Sequence, residues 1–188
     1  MVDDRFPKFI GALVVFAAAL AGPAAAQNAV ESKLQVCGAC HGQDGQPINV
    51  NTPIIWGQLT NFLVKQLHDY RAGDRDNPIM KGMAQTLTQE DLRPAAMYFT
   101  AKTWPAKKTT AAPGPMPDGM QVCQACHQPG FVGGAPAPRI AGQSYEYLIK
   151  QMNDFATGKR NNNMDMVKIM SMLTADQRDA MAHYIAGL

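Results

Sequence analysis

Apolar residues recur at helical spacing twice along the chain, in two segments that echo one another. Leu63, Leu67 and Tyr70 fall at i, i+4 and i+7, and Leu148, Met152 and Phe155 repeat the pattern, which predicts two amphipathic helices. Thr60 and Ser144 stand where N-caps belong, and Gly73 and Gly158 where the helices end. A later helix in each segment is predicted from Thr88 and Thr174, where Thr-x-x-Asp and Thr-x-x-Gln resemble capping boxes, through Tyr98 and Ile185. An earlier helix leads into a cysteine motif, giving three per segment. No stretch alternates with period two, so the predicted fold class is all-α.

A different pattern opens the chain. Arg5 and Lys8 precede an apolar run from Phe9 to Leu20, followed by Gly22-Pro23 and three alanines. This reads as an export signal over residues 1–26, cleaved after Ala26, which places the mature protein in the periplasm. The alternative is an uncleaved membrane anchor, but the run is shorter than the ~20 residues a spanning helix needs.

Beyond the signal the sequence is duplicated. Pro53-Ile54-Ile55-Trp56-Gly57-Gln58 returns 85 positions later as Pro138-Arg139-Ile140-Ala141-Gly142-Gln143, and Leu87-Thr88 returns 86 positions later as Leu173-Thr174. The same structural unit is therefore predicted twice, over residues 27–104 and 119–188. Between them, residues 105–118 hold Pro105, Pro113, Pro115 and Pro117, a linker composition. A unit this small makes a marginal core on its own, and a buried prosthetic group supplies the apolar surface it lacks.

Net charge is only +2 and no Lys/Arg run forms a patch, which excludes a nucleic-acid partner. The four cysteines are more informative. They form two close pairs, Cys37/Cys40 and Cys123/Cys126, each followed at once by a histidine, His41 or His127. C-x-x-C-H is the attachment signature of haem c, so two covalently attached haems are expected. On a helix the two thiols and the next histidine share a face. A zinc or disulfide reading would bring the pairs together, whereas they lie far apart and each stands alone.

His41 and His127 then supply one axial ligand each, and the other must come from elsewhere. A single methionine is ordinarily packing, but a ligand common to both units should recur at matching positions. Met80 and Met166 each stand seven residues before the repeated Leu-Thr, 86 apart, whereas Met83 maps to Ile169 and Met97 to His183. His68 and His183 have no counterpart and read as helix-surface residues. Histidine/methionine ligation fills the iron's coordination shell and leaves no place for substrate, so electron transfer rather than catalysis is expected.

The paired C-x-x-C-H units, the Pro-x-x-x-Gly-Gln loops, the Leu-x-x-Gln helices and the Met-to-Leu spacing, all present twice, resemble the cytochrome c4 family of two-domain class I cytochromes. The likeness covers residues 27–188. It implies two tandem cytochrome c domains, each a small helical fold around one haem, and backbone carbonyls of Pro53 and Pro138 hydrogen-bonded to His41 and His127. It also implies redox partner proteins: a soluble or membrane-associated shuttle between a quinol-oxidising complex and a terminal oxidase. Alternatives are the cytochrome subunit of a flavoprotein dehydrogenase for sulfide or alcohol and, with matched methionines against it, a dihaem peroxidase.

Overall fold

A computed structural model of the chain describes residues 23–105 and 114–188. Residues 1–22 of the expected signal and 106–113 of the expected linker lie outside the described residues. Among the described residues eight α-helices run in the order α1 (Pro23–His41), α2 (Thr60–Ala72), α3 (Pro78–Gln85), α4 (Leu92–Thr100), α5 (Gln124–His127), α6 (Tyr145–Ala156), α7 (Met164–Ser171) and α8 (Ala175–Gly187). A 3-10 turn over Met120–Cys123 leads into α5. Among the described residues the only β feature is an isolated bridge between Gly134 and Ala137, and no helix is long and apolar enough to cross a membrane. The structure has the expected all-α fold class, with one small helical unit per repeat.

Two separate cores form, one per repeat. Val30 and Leu34 of α1, Leu63 of α2, Leu87, and Leu92, Ala95, Ala96 and Phe99 of α4 make the first. The second gathers Met120, Phe131, Leu148, Met152 and Phe155 with Met170, Met181, Ala182 and Ile185. Helix α2 packs on α4 and α6 on α8, with Leu63 and Leu67 of the first predicted stripe and Leu148, Met152 and Phe155 of the second in the cores.

Three details differ from the sequence reading. Each unit has a further short helix, α3 or α7, where the sequence pattern predicts loop. Thr60 does not cap α2: Leu59 precedes the helix, and the Thr60 hydroxyl donates to Thr100 Oγ1 at 2.9 Å. Ser144, by contrast, does cap α6, accepting from Tyr147 N. Helix α4 begins at Leu92, although the Thr88/Asp91 bonds of a capping box are both formed, with Asp91 Oδ2 accepting from Thr88 N at 2.9 Å. Thr174 and Gln177 form the full box at α8.

The Pro-x-x-x-Gly-Gln loops carry the contact between units. Gly57 and Gly142 both sit at positive φ, 67° and 73°, and their N–H groups donate to Phe99 O and Ile185 O at the ends of α4 and α8. A Cβ on Gly57 would lie 2.9 Å from Trp104 N, so a side chain there meets both strain and backbone. The turn these glycines make sends the next residue, Gln58 or Gln143, into the opposite unit. Gly57→Ala is therefore expected to lower unfolding free energy by roughly 1–3 kcal/mol, measured by denaturant titration, while a substitution at exposed Gly114 leaves it unchanged.

Candidate functional site

Helix α1 ends in Cys37-Gly-Ala-Cys40-His41, and the turn plus α5 end in Cys123-Gln-Ala-Cys126-His127. All four thiols are free. The first of each pair is half-buried and burial pushes its thiol up, keeping it protonated. Both histidines are buried, at 7% and 8% exposure. His41 Nδ1 lies 2.8 Å from Pro53 O, and His127 Nδ1 lies 2.8 Å from Pro138 O. A carbonyl only accepts, so Nδ1 carries the proton in both rings. Burial also holds both imidazoles below their ordinary pKa, despite the opposing effect of the proline carbonyls. Each ring is thus neutral, with an Nε2 lone pair.

Met80 and Met166 occupy the same local position. Asn77 caps α3 by accepting from Met80 N, and Asn163 caps α7 by accepting from Met166 N, each at 2.9 Å. Both methionines are half-buried, and Met166 packs with Cys123 against the second core. The two asparagines are 86 apart, the interval of the methionines, and that match is the signal from which they are legible. His68 and His183 lie at the surface, their side chains 55% and 62% exposed. His183 stacks on Tyr145 with ring centroids 3.8 Å apart.

Where the units meet, the repeat produces reciprocal contacts. Gln58 Nε2 donates to Arg139 O at 2.9 Å while Gln58 Oε1 accepts from Arg139 N at 2.9 Å. Gln143 does the same to Ile54, at 3.1 and 2.8 Å. Beside them Arg75 and Arg160, also 85 apart, are buried together. Arg75 donates to Gln66, Tyr147 and Gln151, and Arg160 donates to Gln151 and Gln66. Each guanidinium lies over an aromatic ring of its own unit, Arg75 over Tyr70 at 4.7 Å and Arg160 over Phe155 at 4.3 Å. Burial and the neighbouring Arg75 lower the pKa of Arg160 to about 10, and burial raises Tyr70 to about 12. The symmetry breaks at Asn162, which reaches across to Gln66 Oε1 at 3.1 Å and Asp69 Oδ2 at 2.6 Å.

Two free thiols, a neutral imidazole with an Nε2 lone pair, and a half-buried methionine at the start of a short capped helix, all present twice, have the chemistry that haem c takes as donors. The chain is a c-type cytochrome, an electron-transfer protein carrying two covalently attached haems. A family model described as cytochrome c matches residues 120–188. A Pseudomonas aeruginosa protein described as cytochrome c4 is 38% identical over 184 residues, covering 89% of this chain and 90% of the relative. The crystal structure of reduced recombinant cytochrome c4 from Pseudomonas stutzeri is similar with a TM-score of 0.71 at 31% identity, covering 86% of this chain and 98% of that one. A thiosulfate dehydrogenase electron acceptor from Stutzerimonas stutzeri is 30% identical over 179 residues, covering 86% of this chain and 83% of the relative. This chain belongs to the cytochrome c4 family.

The Asn77 and Asn163 caps yield a local prediction. Asn77→Ala removes about 1 kcal/mol from α3, so α3 amides should exchange with deuterium roughly fivefold faster while those of α7 do not change. Asn163→Ala should give the reverse.

Proposed function

We propose that the protein is exported and carries single electrons in the periplasm, without chemistry on a substrate of its own. In this reading Cys37 and Cys40 would hold one haem, Cys123 and Cys126 the other, with His41/Met80 and His127/Met166 as the residues that would ligate the two irons. The haem supplies an iron that alternates between ferrous and ferric states. The chain's own residues keep each imidazole neutral and oriented, through the Pro53 and Pro138 carbonyls, and hold each methionine at the start of a capped helix. The observation that carries the reading is the duplication of this whole donor set with matching hydrogen-bond distances. Irons each held by a nitrogen and a sulfur would leave no open position, which argues against a peroxidase.

The partners in the leading reading are a quinol-oxidising complex as donor and a terminal oxidase as acceptor. A second reading, favoured by similarity to the thiosulfate dehydrogenase electron acceptor, makes the protein the acceptor for a periplasmic dehydrogenase. A pull-down from membranes and periplasm separates them: a quinol-oxidising complex or oxidase supports the first, a soluble dehydrogenase the second.

The ligand assignment has its own test. Met80→Ala should remove about half of the weak near-infrared sulfur-to-iron band of the oxidised protein, Met166→Ala the other half, and the double variant all of it. A band unchanged in either single variant overturns that assignment.

A further inference from the structure

The carbonyl that receives each histidine proton belongs to a peptide group whose other end is bonded to the opposite unit. Pro53 O accepts from His41 Nδ1 at 2.8 Å, and the N–H of the same amide, on Ile54, donates to Gln143 Oε1 at 2.8 Å. In the second unit Pro138 O accepts from His127 Nδ1 at 2.8 Å, and the N–H of that amide, on Arg139, donates to Gln58 Oε1 at 2.9 Å. Both glutamines are buried, at 3% and 4% exposure. The wiring is therefore crossed: imidazole, peptide and glutamine form one chain, and the glutamine always comes from the other half.

Hydrogen bonds in such a chain polarise one another. An amide whose N–H is engaged has a more electron-rich carbonyl oxygen, which draws harder on the ring proton. The imidazole becomes the stronger electron donor at Nε2, as a metal-bound histidine does when its second nitrogen donates to a better acceptor. A stronger donor stabilises ferric iron over ferrous and lowers the reduction potential.

We infer that Gln143 and Gln58 are positioning residues that tune the haem of the opposite unit, Gln143 acting on His41 through the Pro53–Ile54 peptide and Gln58 on His127 through the Pro138–Arg139 peptide. The inference rests on His41 and His127 being the iron ligands. A purely local role predicts something different. Gln58 also accepts from Leu59 N and closes a turn onto Ile55 O, and Gln143 accepts from Ser144 N and closes onto Ile140 O, so a local effect would fall on each residue's own unit.

The test uses the full-length dihaem protein labelled with ¹⁵N-histidine. Gln143→Met keeps the side-chain length and removes the amide. It is expected to raise the potential of the first haem alone in a resolved redox titration, and to shift the Nδ1 resonance of His41, not His127, in the reduced protein. Gln58→Met is expected to do the reverse. Should either methionine variant not fold, Gln143→Asn or Gln58→Asn keeps a polar amide too short to reach and should give the same crossed pattern. Effects on the own-unit haem, equal effects on both, or no effect overturn the inference. The near-infrared methionine band and the bound-histidine resonances report ligation separately. A wild-type Nδ1 signal from His41 or His127 insensitive to haem redox state overturns the ligand reading instead.

Discussion

A carbonyl oxygen can accept a proton's hydrogen bond and cannot offer one, and this asymmetry decides the protonation of both buried histidines. Pro53 O and Pro138 O leave Nδ1 no role but donor, burial keeps the rings uncharged, and an Nε2 lone pair follows in each half. Proline suits this position because its fixed φ makes the loop stiff and it needs no N–H partner of its own. The remainder of each unit holds this arrangement in place. The cysteine helix brings the ring in from one side, and the glycine turn after the proline ties the loop to the final helix of the unit.

The same loops join the two halves. A buried backbone N–H and C=O left unpaired would cost about 1–3 kcal/mol each, and at Ile54 and Arg139 both groups are satisfied by a single glutamine from the other unit. Arg75 and Arg160 are harder to accommodate. Two like charges buried together are unfavourable, and the surrounding Gln66, Gln151, Tyr147 and aromatic faces answer them with dipoles and quadrupoles. Side-chain amides dominate this seam, because one amide offers both a donor and an acceptor and so serves equivalent partners on either side.

Much of this is legible in the sequence, for reasons that can be named. The helical stripes at Leu63, Leu67 and Tyr70 and at Leu148, Met152 and Phe155 stand out because burial of one face of a helix leaves a period. The C-x-x-C-H motifs stand out because attachment chemistry demands fixed spacing. Helices α3 and α7 do not, since eight residues are too short to carry a clear period and their starts depend on Asn77 and Asn163, one residue each. Thr60 looks like a cap but finds Thr100, a residue 40 positions away that local pattern cannot supply. Gln58 and Gln143 are visible as matched letters in a repeated loop, yet their partners lie 81 and 89 positions off. A repeat shows that a position matters to both copies without showing that the copies touch there.

Duplication alone would give two interchangeable halves, and the extra residue between Arg160 and Asn163 prevents that. Asn162 donates hydrogen bonds to Gln66 and Asp69 of the first half, with no counterpart running the other way among the described residues. Tyr147 adds a phenol where the first half has Phe62. Both departures fall at the seam rather than on the periphery, so the molecule has a head and a tail defined from its middle. The two halves are therefore distinguishable at the very place where they touch, and one inserted amide accounts for part of that difference.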